Sequence, residues 1–277
     1  MNMKKVKQQI PMPIRSTLRQ MADFSRDTLE LLLGHRDPLI PPGRLIFVGA
    51  GDFREVGQEF LRYFIDLAQL RPDEAVLDVG CGVGRMALPL TQYLNANARY
   101  EGFDIVRKGI QWSQTNISRR HNNFRFTFAD VFNASYNPQG KTRTSQYSFP
   151  YSNDSFDFVF LTSVFTHMFP DDLEHYLSEI ARVTKKGGRC LITFFLLNAE
   201  SLDLINQKRS SQDFTYVADR YRTIDLANPE RAIAFDETLV RTLFSRYGFD
   251  MHTVRYGSWC GRRTFLSYQD IAVATKS

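Results

Sequence analysis

The stretch "VLDVGCGVGRMALPL", residues 76–90, decides the fold of this chain. An apolar segment that contains one acid, Asp78, runs into three glycines at alternate positions, Gly80, Gly82 and Gly84, and then into an amphipathic segment. This is the pattern of a buried strand, a sharp turn and a helix. Glycines let the backbone turn and approach a ligand closely, and the free N–H groups of a following helix attract polar groups. The stretch therefore predicts a ligand-binding loop at the end of a sheet strand.

The spacing of the glycines separates two classes of nucleotide ligand. The dinucleotide pattern Gly-x-Gly-x-x-Gly requires a glycine where Arg85 stands, so its helix-packing glycine is missing. Asp78, two residues before Gly80, would repel a pyrophosphate but attract a ligand that bears an ammonium and a sulfonium. S-adenosylmethionine is such a ligand.

The stretch "VLDVGCGVGR" resembles motif I of the class I S-adenosylmethionine-dependent methyltransferases, and the similarity extends over residues 71–277. The resemblance implies an α/β, Rossmann-like methyltransferase fold. Its sheet has seven mostly parallel strands with an antiparallel last strand, and helices cover both faces. The resemblance does not extend to residues 1–70. We predict for them an N-terminal helical extension with a basic tail, 1–22.

The rest of the cofactor site follows from spacing and from the resemblance. "YEGFDIV" ends its strand at Asp104, twenty residues after Gly84, where a carboxylate can accept both ribose hydroxyls. In "FRFTFADVF" the resemblance implies that Asp130 binds the adenine amino group and that the Val131 N–H meets a ring nitrogen. "FDFVFLTSVFTHM" resembles the segment that forms the floor of the reaction centre. The predicted cofactor-binding residues are Asp78, Gly80, Cys81, Gly82, Gly84, Asp104, Ile105, Asp130, Val131 and Thr162.

Each of these acids also has an ordinary structural explanation. Asp78 can cap a turn, Asp104 can cap the helix that follows it, and Asp130 can be a loop acid. Their occurrence at three successive strand ends, together with the glycines, favours a cofactor site. Cys81 is interpreted as a small filler rather than as a nucleophile.

Short apolar runs alternate with longer amphipathic segments from residue 71 onward, as in the crossover units that build a parallel sheet. We predict helices over 16–33, 58–70 and 171–184. Residues 133–153 form a predicted loop, and 198–235 a lid-like insertion of helices. The predicted strands are 75–80, 99–104, 124–128, 156–162, 189–196, 250–256 and 269–275.

A second glycine pair, in "FVGAGDF" at residues 47–53, is not followed by an acid-ended strand at the required distance. We interpret it as a loop of the extension. Because such extensions often fold over the cofactor, Phe53 and Gly57 are predicted to line the pocket.

The charge distribution argues against nucleic acid as a partner. The net charge is +5, and the five basic residues that precede Asp23 account for it; after them 30 basic and 30 acidic residues follow. The body of the chain therefore lacks the basic excess of a nucleic-acid-binding domain. Three widely spaced cysteines indicate neither a disulfide framework nor a zinc site, and no apolar run is long enough to cross a membrane. We expect a cytoplasmic protein.

The segment after the fourth predicted strand offers one candidate base. His167 follows that strand, and imidazole titrates near neutrality. The alternative is that Ser163, Thr166 and His167 only hydrogen-bond the turn. Thr162 and Ser163 stand where a catechol-type enzyme would place metal ligands, so no metal requirement is predicted.

The acceptor is predicted from what the sequence lacks and from the composition of the insertion. "LTSVFTHM" has neither the Pro-Pro-aromatic run nor the cysteine of nucleic-acid methyltransferases. Tyrosines, arginines and aspartates in 198–235 favour a small polar acceptor, such as a hydroxyl of a sugar, glycoside or natural product. An RNA-modifying methyltransferase and a non-catalytic S-adenosylmethionine-binding subunit are the alternatives.

Overall fold

The computed structural model describes residues 37–46 and 51–277. The predicted helix over 16–33 and the basic tail 1–22 lie outside the described residues. The described residues form eleven strands: β1 (Ala75–Val79), β2 (Arg99–Asp104), β3 (Phe124–Phe128), β4 (Phe156–Leu161), β5 (Thr184–Phe194), β6 (Leu196–Leu197), β7 (Tyr216–Val217), β8 (Tyr221–Thr223), β9 (Ile233–Asp236), β10 (Phe249–Arg255) and β11 (Asp270–Lys276).

Six α-helices accompany these strands within the described residues. They are α1 (Phe53–Asp66), α2 (Ala87–Tyr93), α3 (Arg107–Ser113), α4 (Pro170–Val183), α5 (Ala199–Asn206) and α6 (Glu237–Arg246). A π-helical turn, Gln114–Ser118, continues α3. No helix of the described residues is both long and apolar enough to span a membrane.

The main sheet has seven strands in the order β3-β2-β1-β4-β5-β11-β10. Strand β11 runs antiparallel to its neighbours β5 and β10. The pairs β1–β2, β2–β3, β1–β4 and β4–β5 are parallel. The predicted seven-stranded sheet with an antiparallel last strand is confirmed.

Both faces of this sheet are buried, as β1 illustrates. Val76 faces a core layer with Phe64 of α1 and Phe158 of β4, whereas Leu77 faces the opposite layer with Ile180 of α4. Successive side chains of a strand point to opposite faces, so a continuous apolar run requires a cover on each side. Helices therefore pack on both faces.

The strand order creates a crevice beside β1. From β1 the chain moves outward to β2 and β3, and then returns to β4 on the other side of β1. In open α/β sheets ligands bind at the carboxyl ends of the strands at such a switch point. The glycine loop leaves β1 at this point.

Two predicted boundaries differ from the structure. Helix α1 begins at Phe53 rather than at 58, because the Asp52 carboxylate caps it by accepting from the N–H groups of Arg54 and Glu55. Strand β5 begins at Thr184 rather than at 189. Lys185 therefore lies in the strand, where its Nζ donates to the Asp157 carboxylate.

The prediction that 198–235 consists of helices is wrong. The segment contains one α-helix, α5, and three short strands that join β6 in a four-stranded sheet of order β6-β9-β8-β7. Strand β9 is buried and packs with Phe195, Phe214 and Trp259. Trp259 belongs to the distant loop between β10 and β11, so a tertiary contact decides the local structure.

Candidate active site

A cavity of about 800 Å³ opens at the carboxyl ends of β1, β2 and β4. The glycine loop and the ends of these strands line it. The 3₁₀ turn Phe165–His167, the residues 224 and 230–232 that flank strands of the four-stranded sheet, and the residues 267–269 before β11 line it as well. Such a pocket is at the upper end of the range of about 300–1,000 Å³ that suits small ligands.

The glycine loop adopts a conformation that favours glycine. Gly80, Gly82 and Gly84 have φ angles of +80°, +57° and +78°. A Cβ on Gly80 would lie 2.4 Å from Val164 Cγ2, whereas a Cβ on Gly82 would meet nothing within 4 Å. Since Gly82 lines the cavity, this open space is part of the cavity. The predicted turn is present, and α2 begins only at Ala87, after further turns.

Gly84 has a packing role. It does not belong to the cavity lining, and a Cβ there would lie 2.7 Å from Ile117 Cδ1. The absence of a side chain at Gly84 thus allows the helical turn Gln114–Ser118 to pack closely against the glycine loop.

Asp78 is a buried acid with an unused oxygen. Its side chain lines the cavity and the residue is 1% exposed. Oδ2 accepts a 2.6 Å hydrogen bond from the Tyr100 hydroxyl, but Oδ1 has no partner among the described residues. Burial raises the pKa of this carboxyl to about 8, the Tyr100 hydrogen bond lowers it, and the Asp104 carboxylate adds to the rise. A cationic ligand group at Oδ1 would satisfy both the hydrogen bond and the charge.

Asp104 joins β2 to the glycine loop. Its Oδ2 accepts from the Gly82 N–H at 2.8 Å and its Oδ1 from the Val106 N–H at 2.7 Å. Burial raises the pKa of the carboxyl to about 6, which these backbone donors oppose. The side chain also lines the cavity. The capping contact and the predicted place in the site are therefore compatible, since each carboxylate oxygen has a second lone pair.

The remaining predicted cofactor residues divide into two groups. Cys81, Ile105, Val131 and Thr162 line the cavity, whereas Asp130 does not. The Asp130 backbone carbonyl accepts from the N–H groups of residues 141 and 142 and so holds the following loop. Burial raises the pKa of the Cys81 thiol well above its usual value, which agrees with its interpretation as a filler.

His167 lines the same cavity as the glycine loop and lies in the turn Phe165–His167. Its Nδ1 is 2.8 Å from the backbone carbonyl of Glu230. Because a carbonyl only accepts, Nδ1 carries the proton and the neutral ring has its lone pair on Nε2. Burial lowers the pKa of the imidazole, and the contact with Glu230 opposes this. The ring also packs edge-on against Tyr136 at 6.0 Å. The arrangement favours a neutral imidazole whose Nε2 can accept a proton.

Two further polar residues, Ser163 and Thr166, lie just before His167 in the chain. Thr166 is 1% exposed, lines the cavity, and its Oγ1 has no partner among the described residues. Ser163, at a φ of +60°, donates through Oγ to Gln269 Oε1 at 2.9 Å. Gln269 and Glu230 are residues that the sequence analysis missed, because only the tertiary fold brings them to this turn.

The extension contributes to the cavity through other residues than predicted. Val56, Glu59 and Phe60 of α1 line it, whereas Phe53 and Gly57 do not. A Cβ on Gly57 would lie 2.8 Å from the backbone oxygen of residue 85. Phe53 and Gly57 therefore pack against the glycine loop from outside. Among the residues that the structure covers, no group of three or more His, Cys, Asp or Glu could hold a metal ion.

Comparison with known proteins agrees with this geometry. The family model described as "Methyltransferase domain" matches residues 77–192, from β1 through most of β5. This match and the fold support the class I S-adenosylmethionine-dependent methyltransferase family for the chain. The cofactor of this family is S-adenosylmethionine.

A curated relative and several solved structures are similar to this chain. Methyltransferase GfsG of Streptomyces halstedii is 27% identical over 138 residues, which are 50% of this chain and 44% of GfsG. The match thus spans less than half of that relative. A protein of Pyrococcus horikoshii OT3 has a TM-score of 0.55 at 18% identity, with 83% of this chain and 93% of that chain covered.

A further solved structure is 1,6-didemethyltoxoflavin-N1-methyltransferase of Burkholderia thailandensis, with bound 1,6-didemethyltoxoflavin and S-adenosylhomocysteine. Its TM-score is 0.51 at 16% identity, with 97% of this chain and 92% of that chain covered. At these identities the likeness shows the fold.

Two structural observations show that the residues of the site fit this cofactor. The unpartnered Oδ1 of Asp78 offers an acceptor and a negative charge to an ammonium, and the space above Gly82 allows close approach of a nucleoside. Asp104 lines the same cavity, and the second lone pair on each of its carboxylate oxygens can accept from the two ribose hydroxyls of the cofactor.

Proposed function

We propose that this protein is a methyltransferase that moves a methyl group from S-adenosylmethionine to a hydroxyl of a small molecule. The observation that carries the proposal is that Asp78, Asp104 and His167 all line the same cavity of about 800 Å³. Its size suits the cofactor together with a small second ligand.

The chain's residues would hold the cofactor along the carboxyl ends of the strands. Asp78 would bind the ammonium, Asp104 the ribose hydroxyls, and Ile105 and Val131 would flank the adenine. The cofactor supplies a methyl group already activated by its sulfonium, for an in-line displacement. The protein mainly has to align the acceptor, and alignment can remove roughly 7–11 kcal/mol of the barrier.

His167 would serve as the general base. Its Nε2 lone pair accepts the proton of the acceptor hydroxyl as the oxygen becomes bonded to carbon. The resulting imidazolium is stabilised by the Nδ1–H bond to the Glu230 carbonyl. A lowered pKa keeps this base unprotonated at neutral pH.

The insertion would form the acceptor side of the pocket. Ile224, Glu230 and Ala232 line the cavity beside His167, and Tyr136 and Asn133 reach it from the loop after β3. Hydrogen-bonding groups mixed with apolar surface favour a sugar, glycoside or hydroxylated natural product. The fold is compatible with such a pair of ligands, since the Burkholderia enzyme holds a small molecule and S-adenosylhomocysteine together.

The decisive experiment is incubation with methyl-labelled S-adenosylmethionine and a fractionated metabolite extract, followed by mass spectrometry. A labelled small molecule, absent with His167→Gln but formed by wild type, is expected. Labelled RNA in place of a metabolite would make the protein an RNA-modifying enzyme. S-adenosylhomocysteine binding without transfer to any fraction would make it a non-catalytic cofactor-binding subunit.

A further inference from the structure

A further cavity, here named the edge cavity, lies along β2 and β3 at the edge of the main sheet. Its volume is about 700 Å³. Residues of these two strands, of the turn Gln114–Ser118 and of the loop 150–155 line it. It shares no lining residue with the cavity at the carboxyl ends of the strands. The proposed methyl transfer therefore leaves the edge cavity without a role.

Glu101 is the buried acid of the edge cavity. The residue lines the cavity and is 6% exposed. Its Oε1 lies 3.9 Å from Arg125 Nη1, which is too long for a hydrogen bond between nitrogen and oxygen. Burial raises the pKa of the carboxyl, and the charges of Arg99 and Arg125 oppose this. The carboxylate is thus held by charge, and its lone pairs can accept from a ligand that donates.

Two arginines flank Glu101 on the same face of the sheet. Arg99 stands two positions earlier in β2, and Arg125 is its register partner in β3. Arg99 Nη2 donates to the Ser155 carbonyl at 2.9 Å, whereas the Arg125 side chain is 72% exposed. Both arginines line the edge cavity, and a guanidinium has five N–H donors. The cavity therefore presents strong donors beside a strong acceptor.

Hydroxyl groups complete the lining of the edge cavity. Ser118 and Tyr151 line it, and their buried hydroxyl oxygens have no hydrogen-bond partner among the described residues. Burial raises the pKa of the Tyr151 phenol, the charge of Glu101 raises it further, and the Thr127 side chain opposes this. Because buried polar groups are normally paired, such hydroxyls at a cavity favour a polar ligand.

The ligand must donate and accept at the same place. An ammonium only donates, and the two guanidinium groups would repel it. A phosphate only accepts, and the Glu101 carboxylate would repel it. A hydroxyl does both, so one hydroxyl can accept from Arg125 and donate to Glu101 in the gap between them. Several hydroxyls on adjacent carbons can serve the other donors and acceptors of the lining.

We propose that the edge cavity binds a small polyhydroxylated molecule of the monosaccharide class, with Glu101 and Arg125 as its principal contacts. The site is independent of S-adenosylmethionine and of methyl transfer. It would be a second binding site of the same chain.

Nuclear magnetic resonance of the ¹⁵N-labelled full chain tests the proposal without any cofactor. The probes are D-glucose, D-galactose, D-mannose and myo-inositol, each titrated to tens of millimolar. At least one is expected to shift the amide signals of residues 99–101, 125–127 and 150–152 in a saturable way. Glu101→Gln should weaken this binding by about 10-fold or more, as for loss of a hydrogen bond to a charged group.

Two arginine variants complete the test. Arg125→Met alters an exposed side chain, so the fold should persist, and the binding should weaken there also even if Glu101→Gln does not fold. Arg119→Met is the matched control, because Arg119 is exposed but does not line the edge cavity. This control should bind as wild type does.

Three results would overturn the proposal. The first is the absence of a saturable shift with every probe, or full wild-type affinity in Glu101→Gln or Arg125→Met. The second is a set of shifts at residues 224 and 230–232, which would place the sugar in the cavity at the strand ends. The third is tighter binding of inorganic phosphate or ethanolamine at the same amides, which would assign a charged ligand instead.

Discussion

Binding of S-adenosylhomocysteine is expected to be linked to ionisation of Asp78. In the free protein burial raises the pKa of this carboxyl to about 8. An ammonium placed beside it stabilises the charged form and lowers the pKa. The ligand therefore selects the ionised carboxylate, and binding below pH 8 releases a proton.

The pKa sets the size of the effect. With a pKa of about 8, half of the molecules carry an ionised Asp78 at pH 8 and about one in a hundred at pH 6. The association constant should therefore fall about 50-fold from pH 8 to pH 6, and about 0.9 proton should be released per site at pH 7. The Asp104 carboxyl, whose pKa burial raises to about 6, adds a loss only near and below that pH.

The assay is calorimetric titration at pH 6, 7 and 8 in buffers of different ionisation enthalpy. Asp78→Asn should bind weakly and lose the dependence above pH 6. Tyr100→Phe keeps the ring stacked on Phe124 but removes the hydrogen bond that lowers the Asp78 pKa, so the midpoint should move to higher pH. A dissociation constant that is equal at pH 6 and pH 8, without proton release, would refute the reasoning.

The same carboxyl should affect the stability of the free protein in the opposite direction. Its pKa is higher in the folded than in the unfolded state, so the folded protein holds the proton more tightly. The free energy of unfolding should therefore fall as pH rises from about 4 to about 8, by about 1.4 kcal/mol per pH unit from this group. Asp78→Asn should melt at a higher temperature than wild type at pH 8, with a smaller difference at pH 5.

Four other outcomes are expected. His167→Gln should lower turnover by about 10²–10⁴-fold with S-adenosylhomocysteine affinity unchanged, and the wild-type rate should fall with decreasing pH through a pKa below 6.5; a flat profile in the wild type would remove the base. Thr166→Val, which deletes a buried hydroxyl without a partner, should raise the free energy of unfolding in urea by about 1 kcal/mol. Gly82→Ala should lower the free energy of unfolding by about 1–2 kcal/mol because of its positive φ, and it should weaken the binding of S-adenosylhomocysteine. Gly80→Ala should destabilise the fold more, because its Cβ would meet Val164. Equal melting temperatures of the two variants would contradict this difference. Turnover should be unchanged by EDTA, and a loss restored by magnesium would show a metal requirement.

The positions of the strands along the chain and of the glycine loop could be predicted because they depend on local and periodic features. Apolar runs in β1 to β5 are long enough for strands buried on both faces, and glycines with positive φ mark the turn after β1. The acids at the ends of β1 and β2 follow from the same register, because the carboxyl ends of parallel strands meet at one edge.

The insertion and the extension could not be predicted in the same way. Strands β7, β8 and β9 are two to four residues long, too short for a periodic signal. The core cluster to which β9 contributes Ala234 includes Trp259 from another part of the chain. Likewise Phe53 and Gly57 were predicted to line the pocket, but they do not line it. Which face of a helix points toward a pocket depends on the elements against which the helix packs.

The sequence by itself determined the sheet, the glycine turn and the acids at the strand ends, because these depend on residue type and on spacing along one chain segment. Only the tertiary structure decided that Asp78 keeps an oxygen without a partner, that the Glu230 carbonyl selects the His167 tautomer, and that Glu101 is buried beside Arg125. Burial, hydrogen-bond direction and charge pairing depend on groups that are distant in sequence, and the fold alone brings these groups together.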